Sequence, residues 1–199
     1  MKLLNYYNLT VKQHDLFLHF LKECHKEIDQ PAHINMYDDD WESKKNTLLY
    51  ILEKTDRFKN DGQYNVLFHN YEVIACSGIY KSSFCSDMAL SGTRTWIKKK
   101  YRNQLISREI LLPNEKKYAL YKGFKAIALC FNEYNKNIID IFYRKRLGEN
   151  RTKKLPHHLF YNNLNKVTFA VTIQSTKQYV LYEKLDDTFH FDWEIIKYQ

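Results

Sequence analysis

The chain has 199 residues, 44% hydrophobic and 16% aromatic, with 27% charged and a formal net charge of +8. That is material for one ordinary folded domain and excludes a disordered or low-complexity chain, while five glycines and three prolines exclude long flexible linkers and a turn-dense all-β fold. The positive balance favours anionic partners such as nucleotides, phosphorylated cofactors or nucleic acid, and no apolar run reaches the roughly 18–20 residues of a membrane helix.

From the N-terminus, Met1 to Leu9 mixes Lys2 with Asn5, Tyr6, Tyr7 and Asn8 and lacks the apolar centre of a secretory signal, so the cytoplasm is the expected compartment. Leu16, Phe17, Phe20, Leu21, Cys24 and Ile28 recur at helical spacing and predict an amphipathic helix over 14–28. A polar stretch with Pro31 and Asp38-Asp39-Asp40 leads to a second helix over 40–54, with Asp40 as its cap. After the Asp61-Gly62 turn, the runs 64–68 and 72–80 read as a β-hairpin turning at His69-Asn70-Tyr71, and a third strand follows over 88–98. Residues 103–112 predict a helix stopped by Pro113-Asn114, with a short helical piece over 118–122 ended by Gly123. Phe124 to Phe131 is a continuous apolar run of strand length, the pattern of a strand buried on both faces. A helix over 135–146 and a hairpin over 167–173 and 178–184 follow, and Phe189, Phe191 and Trp193 at period two suggest an added edge strand. The order α-α-β-β-β-α-β-α-β-β predicts one α/β unit over 1–199, a mixed sheet with helices on both faces.

The densest chemical signal is 94–108, with Arg94, Lys98, Lys99, Lys100, Arg102 and Arg108 and no acid, placed where a strand hands over to a helix. The first turn of a helix leaves N–H groups unpaired and carries partial positive charge, which suits a phosphate, and Arg102, Gln104, Ser107 and Arg108 add side-chain donors.

Tyr101-Arg-Asn-Gln-Leu-Ile-Ser-Arg-Glu-Ile-Leu-Leu112 resembles the acetyl-CoA loop of the GNAT acetyltransferase superfamily, commonly Tyr-Arg-Gly-Gln-Gly-Ile-Gly followed by a Leu-Leu helix. Asn135-Lys-Asn-Ile-Ile-Asp-Ile-Phe142 is similar to the later helix of that family, Asn-x-x-Ala-x-x-x-Tyr, and the element order matches its topology. The resemblance is clearest over 64–148 and rests on topology elsewhere. It implies a GNAT-like fold with a central, mostly antiparallel sheet, and transfer of an acetyl group from acetyl-CoA to an amine by direct attack. It further implies that the pyrophosphate sits on the backbone of Asn103, Gln104, Leu105, Ile106 and Ser107 with Arg102 beside it. The pantetheine arm would pair along Thr95, Trp96 and Ile97, and Asn135 would touch that arm. Leu105 and Ser107 stand where the family has its two loop glycines, and Phe142 stands where it often has the tyrosine that protonates the leaving thiolate. Tyr143 is the adjacent candidate for that acid, about 100° away around a helix. No carboxylate lies within 88–98, so Glu72, Asp87 and His69 are the nearest candidates for a base.

The remaining constellations read as structural. Cys24, Cys76, Cys85 and Cys130 form no Cys-x-x-Cys pair and read as free thiols in a reducing compartment. Asp38 to Asp40 reads as a surface loop, His157-His158 lacks partners at metal-ligand spacing, and the basic cluster over 144–154 reads as a solvated helix end. Two other functions fit the residues: a non-catalytic binding protein on the same fold, and a nucleic-acid binder using the two basic clusters with interleaved Tyr and Trp.

Overall fold

Thr10-Val-Lys-Gln13 is a capping box, with the Gln13 N–H donating to Thr10 Oγ1 (3.3 Å) and the Thr10 N–H donating back to Gln13 Oε1 (2.9 Å). It starts helix α1 at Val11, three residues ahead of the apolar periodicity, and α1 runs Val11–Lys26. In the computed structural model the described residues are 1–26, 41–54, 56–82, 85–102, 104–132, 154–156 and 178–190. They fall in two compact units, Met1–Tyr80 with Gly92–Tyr118, and Lys81–Ser91 with Ala119–Gln199.

The first unit holds α1, α2 (Trp41–Lys54), the short α3 (Asp56–Lys59) and the strands β1 (Lys2–Asn5), β2 (Gly62–His69) and β3 (Glu72–Lys81). Strand β4 (Met88–Ile97) contributes Gly92–Ile97 here, and the strand order is β1-β2-β3-β4. β1 pairs antiparallel with β2 from Lys2↔Phe68 to Asn5↔Asn65, and β2 pairs antiparallel with β3 from Gly62↔Tyr80 to His69↔Glu72. The hairpin closes through Asn70 and Tyr71, both left-handed at φ 47° and 64°, the pair of values that a two-residue turn needs to follow the strand twist.

Strand alternation sends β2 side chains to two different helical layers. Tyr64 meets Phe17 of α1 and Phe58 of α3, with ring centroids 6.2 and 5.2 Å apart. Leu67 and Ala75 pack on the opposite face with Ile106 and Leu111. Helices therefore cover both faces, as the sequence predicts. Gly78 lies beneath the aromatic layer, where a Cβ would come within 2.4 Å of Phe58 Cε1.

The helix after β4 corrects one expectation. A π turn over Ser107–Leu111 continues directly into α4 (Leu112–Tyr121), so Pro113 does not end the helix. Proline lacks an N–H and crowds the carbonyl four residues back, and the wider turn just ahead of Pro113 absorbs both defects. Gly123, at φ 78°, ends the segment.

In the second unit Met88–Ser91 of β4 pairs parallel with β5 (Ala126–Asn132), through Met88↔Ala126 to Ser91↔Leu129. β7 (Gln178–Lys184) pairs antiparallel with β5 and with β6 (Lys154–Pro156), giving the order β4-β5-β7-β6. The Lys125 and Ala126 N–H groups both donate to Asp87 O and bind the start of β5 to the turn before β4.

β1, α3 and β6 were not expected from the sequence. Phe189 is buried in a loop rather than a strand, and Phe191 and Trp193 lie outside the described residues. So do the expected helix over 135–146, the strand over 167–173, Asp38 to Asp40 and His157-His158. No described helix is long and apolar enough to cross a membrane.

Candidate functional site

The site is built from the first unit, where β4 bends before meeting the loop that opens the π turn. Gly92 and Arg94 take φ values of 69° and 53°, left-handed backbone inside a strand. Such a conformation costs a non-glycine residue about 1–2 kcal/mol, so its surroundings must hold it. Tyr64, buried between β2 and α3, donates its hydroxyl to Arg94 O at 2.9 Å, and Glu115 of α4 accepts the Gly92 N–H at 2.9 Å. Burial first, then the neighbouring Cys76, hold the Tyr64 phenol far above its ordinary range, so it stays a donor.

Beyond the bend, Thr95, Trp96 and Ile97 finish β4, and a 3-10 turn over Lys99–Tyr101 reverses the chain. Arg102 Nε donates to Ile97 O at 3.0 Å and ties the loop to the strand end. Leu105 then takes φ 56°, the conformation for which glycine is the usual residue. Leu105 is 45% exposed, whereas Ile106 is 2% exposed and packs with Leu67, Ala75 and Leu111. The branched residue thus keeps the glycine-like backbone and turns its bulk outward. A helical bond runs from the Glu109 N–H to Leu105 O at 2.7 Å, so the N–H groups of Ile106 and Ser107 lie in the first turn, ahead of the helix's own bonding ladder.

The basic run is less available than its sequence suggests. Lys98 is shared between Glu23 of α1 and Glu72 of β3, and Lys100 donates to the second Glu72 oxygen at 2.8 Å. Tyr101 also donates its hydroxyl to that oxygen at 3.1 Å. Burial alone would raise the Glu72 carboxyl, but hydrogen bonds from Lys100 and Lys98, the Lys98 charge and the Tyr101 hydroxyl outweigh it and draw it down to about 2. A carboxylate so stabilised is a poor proton acceptor at neutral pH, which removes Glu72 as a base. Asp87 pairs with Lys125 at 2.9 Å in the second unit, and His69 lies at the hairpin with its ring 6.2 Å from that of Tyr101.

Thr95, Trp96, Ile97, Arg102, Gln104, Leu105, Ile106 and Ser107 therefore lie on consecutive segments of one unit. Asn103, Asn135 and Tyr143 lie outside the described residues. Sequence reasoning missed Glu115 and Ser77. Glu115 is 2% exposed, its Oε1 lies 2.6 Å from Ser77 Oγ, and its Oε2 touches β4 by accepting the Gly92 N–H. A glutamate two residues after a proline offers no sequence sign that it is buried.

No family model matches the sequence, and no curated protein matches it. Solved structures do match. A GNAT-family acetyltransferase from Staphylococcus aureus Mu50 aligns with 93% of this chain and 99% of its own, at TM-score 0.58 and 13% identity. The fold is that of the GNAT acetyltransferases. The PaiA N-acetyltransferase from Thermoplasma acidophilum, solved in complex with coenzyme A, aligns over 92% of this chain and 99% of its own at TM-score 0.53 and 14% identity. The ribosomal-protein-S18-alanine N-acetyltransferase from Escherichia coli covers 96% of this chain and 99% of its own, at TM-score 0.54 and 12% identity. In the GNAT fold reached here, the bent strand and the left-handed loop residue sit on adjoining segments, Gly92–Ile97 and Arg102–Ser107.

Proposed function

We propose that this chain is an acyl-CoA-dependent N-acetyltransferase that carries an acetyl group from acetyl-CoA to an amine by direct attack. The observation that carries the reading is Leu105. A loop that keeps φ 56° with its side chain turned away from the core retains the backbone geometry of a glycine-bearing diphosphate loop without the glycine. Asn103, Gln104, Leu105, Ile106 and Ser107 would offer N–H groups to the pyrophosphate with Arg102 beside them. Thr95, Trp96 and Ile97 would take the pantetheine arm, together with Asn135. Bound acetyl-CoA supplies the thioester whose acyl carbon the amine attacks. Tyr143 is the proton donor that the family resemblance offers. The acceptor is a small-molecule or peptide amine, the working unit is the single domain over 1–199, and the compartment is the cytoplasm.

Isothermal titration with CoA and with acetyl-CoA tests the reading. Micromolar or tighter binding, lost in Arg102→Ala, supports it; no detectable heat in low salt from the wild-type chain sinks it. Binding of CoA without thiol release from acetyl-CoA, across primary amines that include a polyamine, an aminosugar and a peptide N-terminus, would identify a non-catalytic binding protein.

A further inference from the structure

Between β3, β4 and α4 runs a chain of short oxygen–oxygen contacts that the proposed reaction has not used. Glu115 Oε1 lies 2.6 Å from Ser77 Oγ, and Ser77 Oγ lies 2.6 Å from Thr95 Oγ1. Thr95 Oγ1 in turn lies 2.8 Å from Gly92 O. Oxygens approach this closely when a hydrogen lies between them, because lone pairs facing each other repel. Three two-centre contacts take three hydrogens. The two hydroxyls bring one each, the Gly92 carbonyl brings none, and the Gly92 N–H is spent on the other carboxyl oxygen, Oε2. Giving each contact a hydrogen of its own takes a third, which a protonated Glu115 carboxyl supplies.

We infer that Glu115 is held as a neutral carboxylic acid, and that Glu115, Ser77 and Thr95 form a hydroxyl relay carrying its proton to the exposed Thr95 on β4. Each contact then has its own hydrogen: Glu115 donates to Ser77, Ser77 to Thr95, and Thr95 to Gly92 O. Burial acts in the same direction, since Glu115 is 2% exposed and Ser77 1% exposed, and losing water disfavours the charged form. Among the described groups of the packed elements, Tyr64 on β2 and Cys76 on β3 are buried, and burial pushes the Cys76 thiol up to about 12. Arg94 on β4 is exposed, and Lys116 is the next residue on α4.

The relay ends at Thr95, which is exposed and is the first of the three β4 residues assigned to the pantetheine arm. This use of the relay rests on the proposed function. As the carbon–sulfur bond of the thioester breaks, the electron pair goes to sulfur and Thr95 gives its hydrogen to that thiolate in place of Gly92 O. Thr95 takes the Ser77 hydrogen and Ser77 takes the Glu115 proton, leaving free thiol and a Glu115 carboxylate. The proton lost by the attacking amine returns to Glu115 through the same oxygens and restores the acid. Thr95 would touch the leaving group; Ser77 and Glu115 act through it.

Infrared difference spectra of the full chain against Glu115→Gln test the protonation directly, whether or not CoA binds. The expected result is a protonated-carboxyl carbonyl band at pH 7 that is missing from the variant. A spectrum without that band at pH 7 overturns the inference. Gln copies the neutral acid, its amide donating to Ser77 and its oxygen accepting from Gly92, so Glu115→Gln should keep the unfolding midpoint and the CoA affinity. Turnover should nonetheless fall about a hundredfold, because an amide cannot release the proton. Thr95→Val and Ser77→Ala should lower kcat similarly and abolish the alkaline limb of its pH profile, in Ser77→Ala with KM for acetyl-CoA little changed, while Thr95→Ser keeps activity. Unchanged kcat and an intact alkaline limb in Thr95→Val would remove the relay, and loss of that limb in Tyr143→Phe alone would return the role to Tyr143. Failure of the wild-type chain to bind CoA would instead strike the proposed function and leave the infrared result to decide the state of Glu115.

Discussion

At Leu105 the backbone takes a conformation that a branched residue tolerates poorly, while its side chain makes little use of the core. Leu105→Gly should relieve the strain and raise stability in urea by about 1 kcal/mol, net of the extra freedom glycine gives the unfolded chain. An unchanged or lower urea midpoint would mean that the side chain contributes packing not evident from its exposure. Glu72 makes a second prediction through its lowered carboxyl. With a folded value of about 2 against an ordinary 4.5, protons bind the unfolded chain first, so its contribution is present above about 4.5 and is lost as the pH falls towards 2. Glu72→Gln should flatten that part of a plot of Tm against pH, and an unchanged acid limb would place the ionic network's contribution elsewhere. The sequence made Arg102 and Leu105 legible as loop residues because residue types and their order survive in a linear string. It hid the φ of Leu105 and the pairing of Lys98 and Lys100 with Glu72 and Glu23. Those depend on contacts between residues about 26 or more positions apart, or on a backbone angle that leucine rarely adopts.

Elements with strong periodicity were the readable ones. α1, α2, the β2–β3 hairpin, β4 and β5 follow their apolar patterns, each with enough length for the period to show. β1 has four residues, α3 four and β6 three, too few to carry a period, and each exists through its partner rather than its own propensity. Pro113 misled for a different reason, since a proline stops a helix only where the turn before it cannot widen. The helix start at Thr10 was readable in principle, through the Thr-x-x-Gln pattern. Within the sheet, Gly78→Ala should cost about 1–3 kcal/mol by overpacking, because its Cβ would meet Phe58 and Tyr64 rings fixed between helix and strand. Equilibrium unfolding in denaturant would check it, and a neutral result would show that the aromatic layer shifts freely.

For the molecule as a whole, the fold answers which ligand class deserves testing first, and the net charge of +8 separates the alternatives. CoA bound to the native state alone should stabilise it by about 2.7 kcal/mol at a hundred times its Kd, read as a rise in Tm. An oligonucleotide held by surface cations should instead lose affinity steeply with added salt. A steep salt slope for RNA or DNA with no thermal shift from CoA would favour the nucleic-acid reading. β1 bears on handling of the protein as well. Lys2–Asn5 occupies the outer edge of β2, satisfying the backbone of Asn65–Phe68. Chains trimmed after Asn5 would present that bare row of donors and acceptors to one another, so clumping visible by light scattering should follow the loss of just these few residues.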